Sequence, residues 1–160
     1  ESRCCFMRLS FSWLGLVLFA LPMLINLAYV MFPPTEEAKP DGAVPRWVER
    51  IEQVSRAAYL FAVTLLVSRE PIEPRSVWLF LAALFLLLSY AVWFRYFAGG
   101  RKIALLRRAF LFVPMPLVFP VLYFLCAAVW LHNVPAVLLM MIFGAAHLTV
   151  SLRSFRSAPE

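Results

Sequence analysis

Long apolar runs constrain the fold of this chain more than any other feature of its sequence. Residues 76–98, SVWLFLAALFLLLSYAVWFRYFA, contain a single charged side chain, Arg95. A helix of roughly 20 apolar residues crosses a bilayer core about 30 Å thick, so this run is long enough to span a membrane. Hydrophobic residues make up 63% of the 160 residues and charged residues 15%, far outside the usual soluble range. The composition predicts an integral membrane protein.

Prolines, glycines and basic residues divide the apolar sequence into segments. Pro33-Pro34 ends the first run because proline cannot continue a helix, and Gly99-Gly100 ends the third. We predict an all-α fold in which residues 1–160 form one membrane domain, a bundle of five transmembrane helices. The predicted spans are 9–32, 46–68, 76–98, 109–131 and 134–152.

Basic residues are distributed unequally between the two sides that five spans define. One side has four, Arg3, Arg8, Arg69 and Arg75. The other side has eleven: Lys39, Arg46, Arg50, Arg56, Arg95, Arg101, Lys102, Arg107, Arg108, Arg153 and Arg156. Basic loops stay in the cytoplasm, so we expect a cytoplasmic C-terminus, most simply in a bacterial inner membrane. The formal charge of +6 then indicates contact with anionic lipid headgroups and not with nucleic acid.

The second predicted span begins with charged residues. Its fully apolar part, Ala57 to Val67, has eleven residues, about half the length that a bilayer requires. Two interpretations follow. The charged turn projects into water and headgroups, with Glu52 and Arg56 as an ordinary i,i+4 pair, or Glu52, Gln53 and Arg56 face the bundle interior and mark a site, because intramembrane charges are costly.

Other polar residues inside the spans are few. Asn26 follows Pro22 and is expected to bond across helices or to carbonyls loosened by that proline, or else to contact a ligand. His147 lies beside the small residues 144–146 and is either a helix-packing histidine or a ligand or proton site. With two histidines and three cysteines in no recognisable spacing, no metal site is predicted.

Aromatic residues make up 16% of the chain, and many of them, including Trp47, lie at span ends where aromatic belts form. A second group lies closer to the membrane interior and has the character of a wall around a flat apolar ligand, although packing alone explains it equally well. These residues are Tyr59, Tyr90, Trp93, Phe119 and Tyr123.

The layout resembles the translocator protein family, also called tryptophan-rich sensory proteins. Lys39-Pro40 and Pro45-Arg46-Trp47 keep the spacing of the family pattern that leads into the second helix, and Trp93 with FRYFAGGRK is similar to the end of its third helix. The first loop lacks the extra tryptophans and paired prolines of the family. The resemblance implies a pocket among five helices that is capped by the first loop, binds a porphyrin or a sterol-like lipid, and belongs to a homodimer.

Three functions remain open on the sequence. The first is a binder or carrier of a hydrophobic small molecule, with the 35–47 loop as lid, the second helix as one wall and no required cofactor beyond a porphyrin or lipid ligand. The second is a membrane subunit or assembly factor that packs against a partner protein through the small residues of the fifth helix. The third is a membrane-embedded enzyme, for which only Glu52, Arg56, Asn26 and His147 offer suitable groups.

Overall fold

The computed structural model describes residues 7–35, 44–102, 105 and 115–156. Five helices are present in these residues: α1 (Trp13–Met31), α2 (Arg46–Leu65), α3 (Val77–Ala98), α4 (Met115–Trp130) and α5 (Val134–Arg156). Two short strands, β1 (Met7–Leu9) and β2 (Leu66–Ser68), pair in antiparallel fashion. The first loop (36–43), the start of the fourth predicted span and most of the basic segment after Gly100 lie outside the described residues.

The predicted helical membrane protein is confirmed at the level of its class. Three helices are long and apolar enough to cross a membrane, over Trp13–Met31, Val77–Ala98 and Val134–Arg153, and Val118–Trp130 is a shorter apolar helix. The number of spans stays a prediction. Ser12 and Ser76 cap α1 and α3 by accepting hydrogen bonds from the backbone N–H groups of Gly15 and Trp78, which satisfies donors that a helix start leaves unpaired.

The second predicted span does not remain helical to residue 68. Helix α2 ends at Leu65, and residues 66–68 continue as the extended strand β2. An extended residue advances about 3.3 Å and a helical one about 1.5 Å. Residues 57–65 as helix and 66–68 as strand therefore reach roughly 23 Å, most of an apolar core of about 30 Å. The change of conformation lengthens a segment that is too short as a helix.

Side chains and backbone from distant segments satisfy the carbonyls at the end of α2. Asn133 donates through Nδ2 to the carbonyls of Ala62 and Leu66, at 2.8 and 2.9 Å. The backbone N–H groups of Ser10 and Ser12 donate to the carbonyls of Leu65 and Thr64. Unpaired backbone groups are costly away from water, so these contacts allow α2 to end early.

Helix α4 lies at the centre of the described bundle. Helices α2 and α5 pack extensively on each other, as do α3 and α4, and α4 also contacts α5. The buried core contains Tyr59, Ala62 and Val63 of α2, Ala82 of α3, and Ala136, Met140 and Phe143 of α5 around the α4 residues Val121, Tyr123, Phe124, Cys126 and Ala128. Helices α1 and α3 expose most of their apolar surface, as expected for helices that face lipid.

Contacts between loops define the two ends of the bundle. Trp130 Nε1 donates to the Glu73 carbonyl at 2.7 Å, and this contact joins the α4–α5 turn to the loop that follows β2. Strand β1 lies at the same end. At the opposite end, the hydroxyl of Thr35 donates to the carbonyl of Gly100. The segment after α1 and the segment after α3 are therefore on one side.

Gly15 and Gly144 mark two close helix contacts. A Cβ atom on Gly15 would lie 1.8 Å from the carbonyl oxygen of Val63, a backbone atom of α2. A Cβ atom on Gly144 would lie 2.9 Å from Cγ1 of Val121, the end of a side chain on α4. The small residues of α5 thus serve its contact with α4, and Gly15 allows α1 to touch the α2 backbone.

We expect Gly15→Ala to destabilise the protein and Gly144→Ala to be close to neutral. The first substitution forces backbone apart, and overpacking of this kind costs about 1–3 kcal/mol or more. The second requires a small side-chain shift, which the better helix propensity of alanine, about 1 kcal/mol, offsets. Thermal unfolding of both variants in one detergent measures the difference. Equal melting temperatures for the two variants would contradict the close α1–α2 contact.

Candidate functional site

A polar cluster joins the first half of α2 to the second half of α5. Oε1 of Glu52 lies 2.8 Å from Nδ1 of His147 and 3.1 Å from Nη2 of Arg56. The side chain of Glu52 is 12% exposed, that of His147 22% and that of Arg56 42%. The carboxylate is therefore the most enclosed member of the cluster and accepts hydrogen bonds from both of its neighbours.

Phe143 completes this cluster on α5. Its ring stacks on the His147 ring, with centroids 5.1 Å apart and planes inclined by 13°. The guanidinium carbon of Arg56 lies 5.3 Å from the centroid of the same Phe143 ring, a distance at which a cation is attracted to an aromatic face. The Arg56 guanidinium thus contacts both the face of the Phe143 ring and the Glu52 carboxylate.

Helix spacing explains how the cluster forms. Glu52 and Arg56 are four residues apart on α2, and Phe143 and His147 are four residues apart on α5, so each pair shares one helix face. The two helices run antiparallel, because Asn133 at the start of α5 bonds to Ala62 near the end of α2. The two pairs consequently meet across the seam.

The charged turn of α2 does not face one direction. Glu52 points toward α5, whereas Gln53 points outward. Gln53 is exposed, as is Glu49. Arg56 lies at the edge of the seam, where its guanidinium is partly accessible. Of the three residues Glu52, Gln53 and Arg56, the first and last thus join His147 in one cluster, and Gln53 does not.

A groove lies between α2 and α5 on the other flank of the same seam. Its volume is about 440 Å³, and it is lined by Trp47, Arg50, Ile51, Val54, Ser55, Leu139 and Ile142. At about 100° per residue, Trp47, Ile51 and Val54 fall on one flank of α2 and Glu52 and Arg56 on the opposite flank. The buried residues Val48, Ser55 and Tyr59 lie between them. The groove and the polar cluster are therefore separated by the packed seam.

The groove opens outward from the bundle. Trp47 is 66% exposed and Val54 62%, and most of the remaining lining is aliphatic. Ser55 does not offer its hydroxyl freely, because Oγ donates to the Ile51 carbonyl at 2.6 Å within α2. Arg50 is exposed and forms no ion pair with any residue that the structure describes. The site thus combines an apolar trough with one cationic side chain.

The interior tyrosines are part of the packed core. Tyr59 donates its hydroxyl to the Phe124 carbonyl at 2.8 Å, and Tyr123 donates to the Leu18 carbonyl at 2.6 Å. Pro22 has no N–H to offer Leu18 four residues earlier, so the hydroxyl of Tyr123 replaces the missing helical donor. Tyr90 donates to the carbonyl of Leu21 in the same turn.

Asn26 does not contact the carbonyl that Pro22 frees. Its Nδ2 lies 3.5 Å from Sδ of Met23, and its side chain is exposed. The expected bond to a loosened carbonyl is therefore formed by Tyr123, from another helix. Asn26 neither lines the groove nor bonds to the polar cluster in the described residues.

Trp93 and Phe119 belong to two separate groups of aromatic rings. Trp93 contacts the rings of Tyr29 and Tyr96 edge to face, each at 5.5 Å. Phe119 stacks on Phe85 of α3 with centroids 6.3 Å apart. Four of the five interior aromatics predicted as one wall are thus distributed over three aromatic groups, and the fifth, Tyr90, contacts α1 through its hydroxyl.

Sequence reasoning did not identify Phe143, Arg50 or Ser55 as site residues. The apolar stripe through Trp47, Ile51 and Val54 is visible in the sequence, and a groove on it was a possible inference. Its partners Leu139 and Ile142 carry no local signal, because they are two apolar residues among many in α5.

We expect stronger coupling between Glu52 and His147 than between Glu52 and Arg56. A hydrogen bond to a charged and largely enclosed group contributes about 1.5–3 kcal/mol, whereas a pair with a well-exposed arginine contributes less than about 1 kcal/mol. Two double-mutant cycles of thermal stability in detergent measure the difference, one with Glu52→Gln and His147→Ala, the other with Glu52→Gln and Arg56→Gln. Coupling in the second cycle that matches or exceeds the first would show that the helix-internal pair dominates.

No protein-family profile matches this chain, and neither a curated protein nor a solved structure resembles it at a significant level. The resemblance to the translocator protein family accordingly stays a prediction from the residues that carry it.

Proposed function

We propose that this protein binds or carries a hydrophobic small molecule of sterol-like or lipid-like type, and that the groove between α2 and α5 receives it. The observation that carries the proposal is an apolar trough of about 440 Å³ between two helices, bordered by the exposed ring of Trp47. Ligand sites are concave and mostly apolar with a few polar groups. The groove has this character.

The polar cluster holds the two helices that form the groove in a fixed relative position. The Glu52–His147 contact at 2.8 Å fixes the spacing of α2 and α5 on the flank opposite the groove. A carboxylate that bonds across a helix seam resists sliding of one helix along the other. The two walls of the groove are thereby held at a defined separation.

A lipid-like ligand suits this groove better than a porphyrin. No histidine or cysteine is present among the residues that line it, so the groove offers no side chain of the kind that ligates a porphyrin-bound metal. Aliphatic residues on both walls suit an acyl chain or a sterol ring system. No cofactor is required for binding of this kind.

A membrane subunit or assembly factor is the second candidate function. Its original basis was the small-residue face of α5, but Gly144 on that face already contacts Val121 of α4. A partner protein, or a second copy in a homodimer, would therefore use the exposed apolar faces of α1 and α3. An enzyme is less well supported, because Asn26 forms no hydrogen bond with Glu52, Arg56 or His147 in the described residues.

We further propose that the chain lies in a bacterial inner membrane with its C-terminus in the cytoplasm, because the basic residues favour the side of Arg50 and Lys102. In a cysteine-free background, Glu73→Cys is expected to react with a membrane-impermeant thiol reagent in intact cells and Lys102→Cys only after permeabilisation. Labelling of both positions from the same side would exclude this topology.

The groove itself is tested by filling it. Val54→Trp places an indole in the trough. The probe is a lipid that carries a diazirine in its acyl chain, and it labels the α5 segment around Leu139 and Ile142. We expect the substitution to reduce this labelling at least about fivefold, because the apolar contact area is lost. Val17→Trp is the matched control, since Val17 is exposed on α1. Mass spectrometry of the crosslinked peptides provides the measurement. Undiminished labelling in Val54→Trp, or equal loss in both variants, would refute the groove as the binding site.

A further inference from the structure

We infer that the ligand of the α2–α5 groove is an anionic phospholipid, with its acyl chain in the trough and its phosphate beside Arg50. This inference rests on the proposed function and adds the headgroup class. It depends on the position and charge of one side chain and on the surroundings of that side chain.

The first step is the position of Arg50 in the groove. Arg50 is three residues after Trp47 and four before Val54, so it shares the groove-lining flank of α2 with both residues. It is exposed and lines the trough at the same time. A long arginine side chain packs its methylene stem on apolar surface and places its guanidinium in the headgroup region.

The second step is the distribution of charge around the groove. The acidic residue of this seam, Glu52, is on the opposite flank and is already bonded to Arg56 and His147. The other lining residues are uncharged. Within the described residues, the groove therefore presents a positive charge that no carboxylate neutralises, next to a surface that suits an acyl chain.

The third step is the depth of Arg50 in the membrane. Arg50 and Trp47 lie within the first turns of α2, which begins at Arg46. Tryptophan favours the level of the headgroups, so the neighbouring guanidinium lies where lipid phosphates are found. The groove extends from this level toward the apolar residues Leu139 and Ile142. An amphiphile with a negative head and an apolar tail matches this order of charge and apolar surface.

The test compares two photoactivatable lipids that differ only in their headgroup. The full-length protein is reconstituted in phosphatidylcholine vesicles that contain a trace of a diazirine-acyl lipid with either a phosphoglycerol or a phosphocholine headgroup. Crosslinks to the α5 segment 136–145 are quantified by mass spectrometry. We expect about fivefold more crosslinking by the anionic lipid, the ratio that one basic side chain near a membrane surface provides.

Three variants separate the specific site from a general surface charge. Arg50→Gln is expected to abolish the headgroup preference and retain crosslinking by the phosphocholine lipid. Arg50→Lys is expected to preserve most of the preference, because the charge remains. Arg46→Gln removes the same charge one turn away, at an exposed residue that does not line the groove, and is expected to leave the preference intact.

The possible failures are distinguishable. If neither lipid labels the α5 segment in the parent protein, the proposed function fails and the headgroup inference fails with it. If both lipids label it equally, or if Arg46→Gln and Arg50→Gln reduce the preference to the same extent, the groove binds lipid without selecting an anionic headgroup at Arg50. That result overturns the inference and leaves the proposed function in place.

Discussion

Backbone hydrogen bonding away from water is the constraint on which the rest of this structure depends. A membrane helix satisfies its own carbonyls, yet two places in this bundle interrupt that pattern. Pro22 removes the donor for Leu18 in α1, and α2 ends at Leu65 while the chain is still apolar. Tyr123 and Asn133 supply the missing donors from α4 and from the turn that follows it. These polar side chains fix how α1 and α2 pack around the centre of the bundle.

The same requirement accounts for the position of the charged cluster. Because α2 continues as a paired strand, its apolar segment is longer than the same residues would be as a helix. Glu52 turns toward α5, where it bonds to His147, and Arg56 of its own helix pairs with the same carboxylate oxygen. A carboxylate in this position connects two helices, while the flank of α2 that carries Trp47 and Val54 remains free to face lipid.

Hydropathy and helix-breaking residues are sufficient to predict the helices from the sequence, and the ends of α1 and α3 lie within a few residues of the predicted ones. The early end of α2 was not predictable, because the partners of its last carbonyls are Ser10, Ser12 and Asn133, more than 50 residues away in the sequence.

The i,i+4 pair of Glu52 and Arg56 was visible locally. Its bond to His147 requires the pairing of α2 with α5. The apolar stripe of α2 was also visible, but burial in the protein and exposure to lipid produce the same pattern, so its outward direction could not be inferred.

The strand pair has a consequence for biosynthesis. Leu9 pairs with Leu66, and a ribosome that adds about 5–20 residues per second needs roughly 3 to 11 seconds to make the intervening chain. During this interval β1 has no strand partner, and the N–H groups of Ser10 and Ser12 lack the acceptors that they have in the folded protein. Until α2 is complete, these N–H groups need water or another acceptor. The final contact of α1 with α2 therefore cannot form before residues 62–66 have been synthesised.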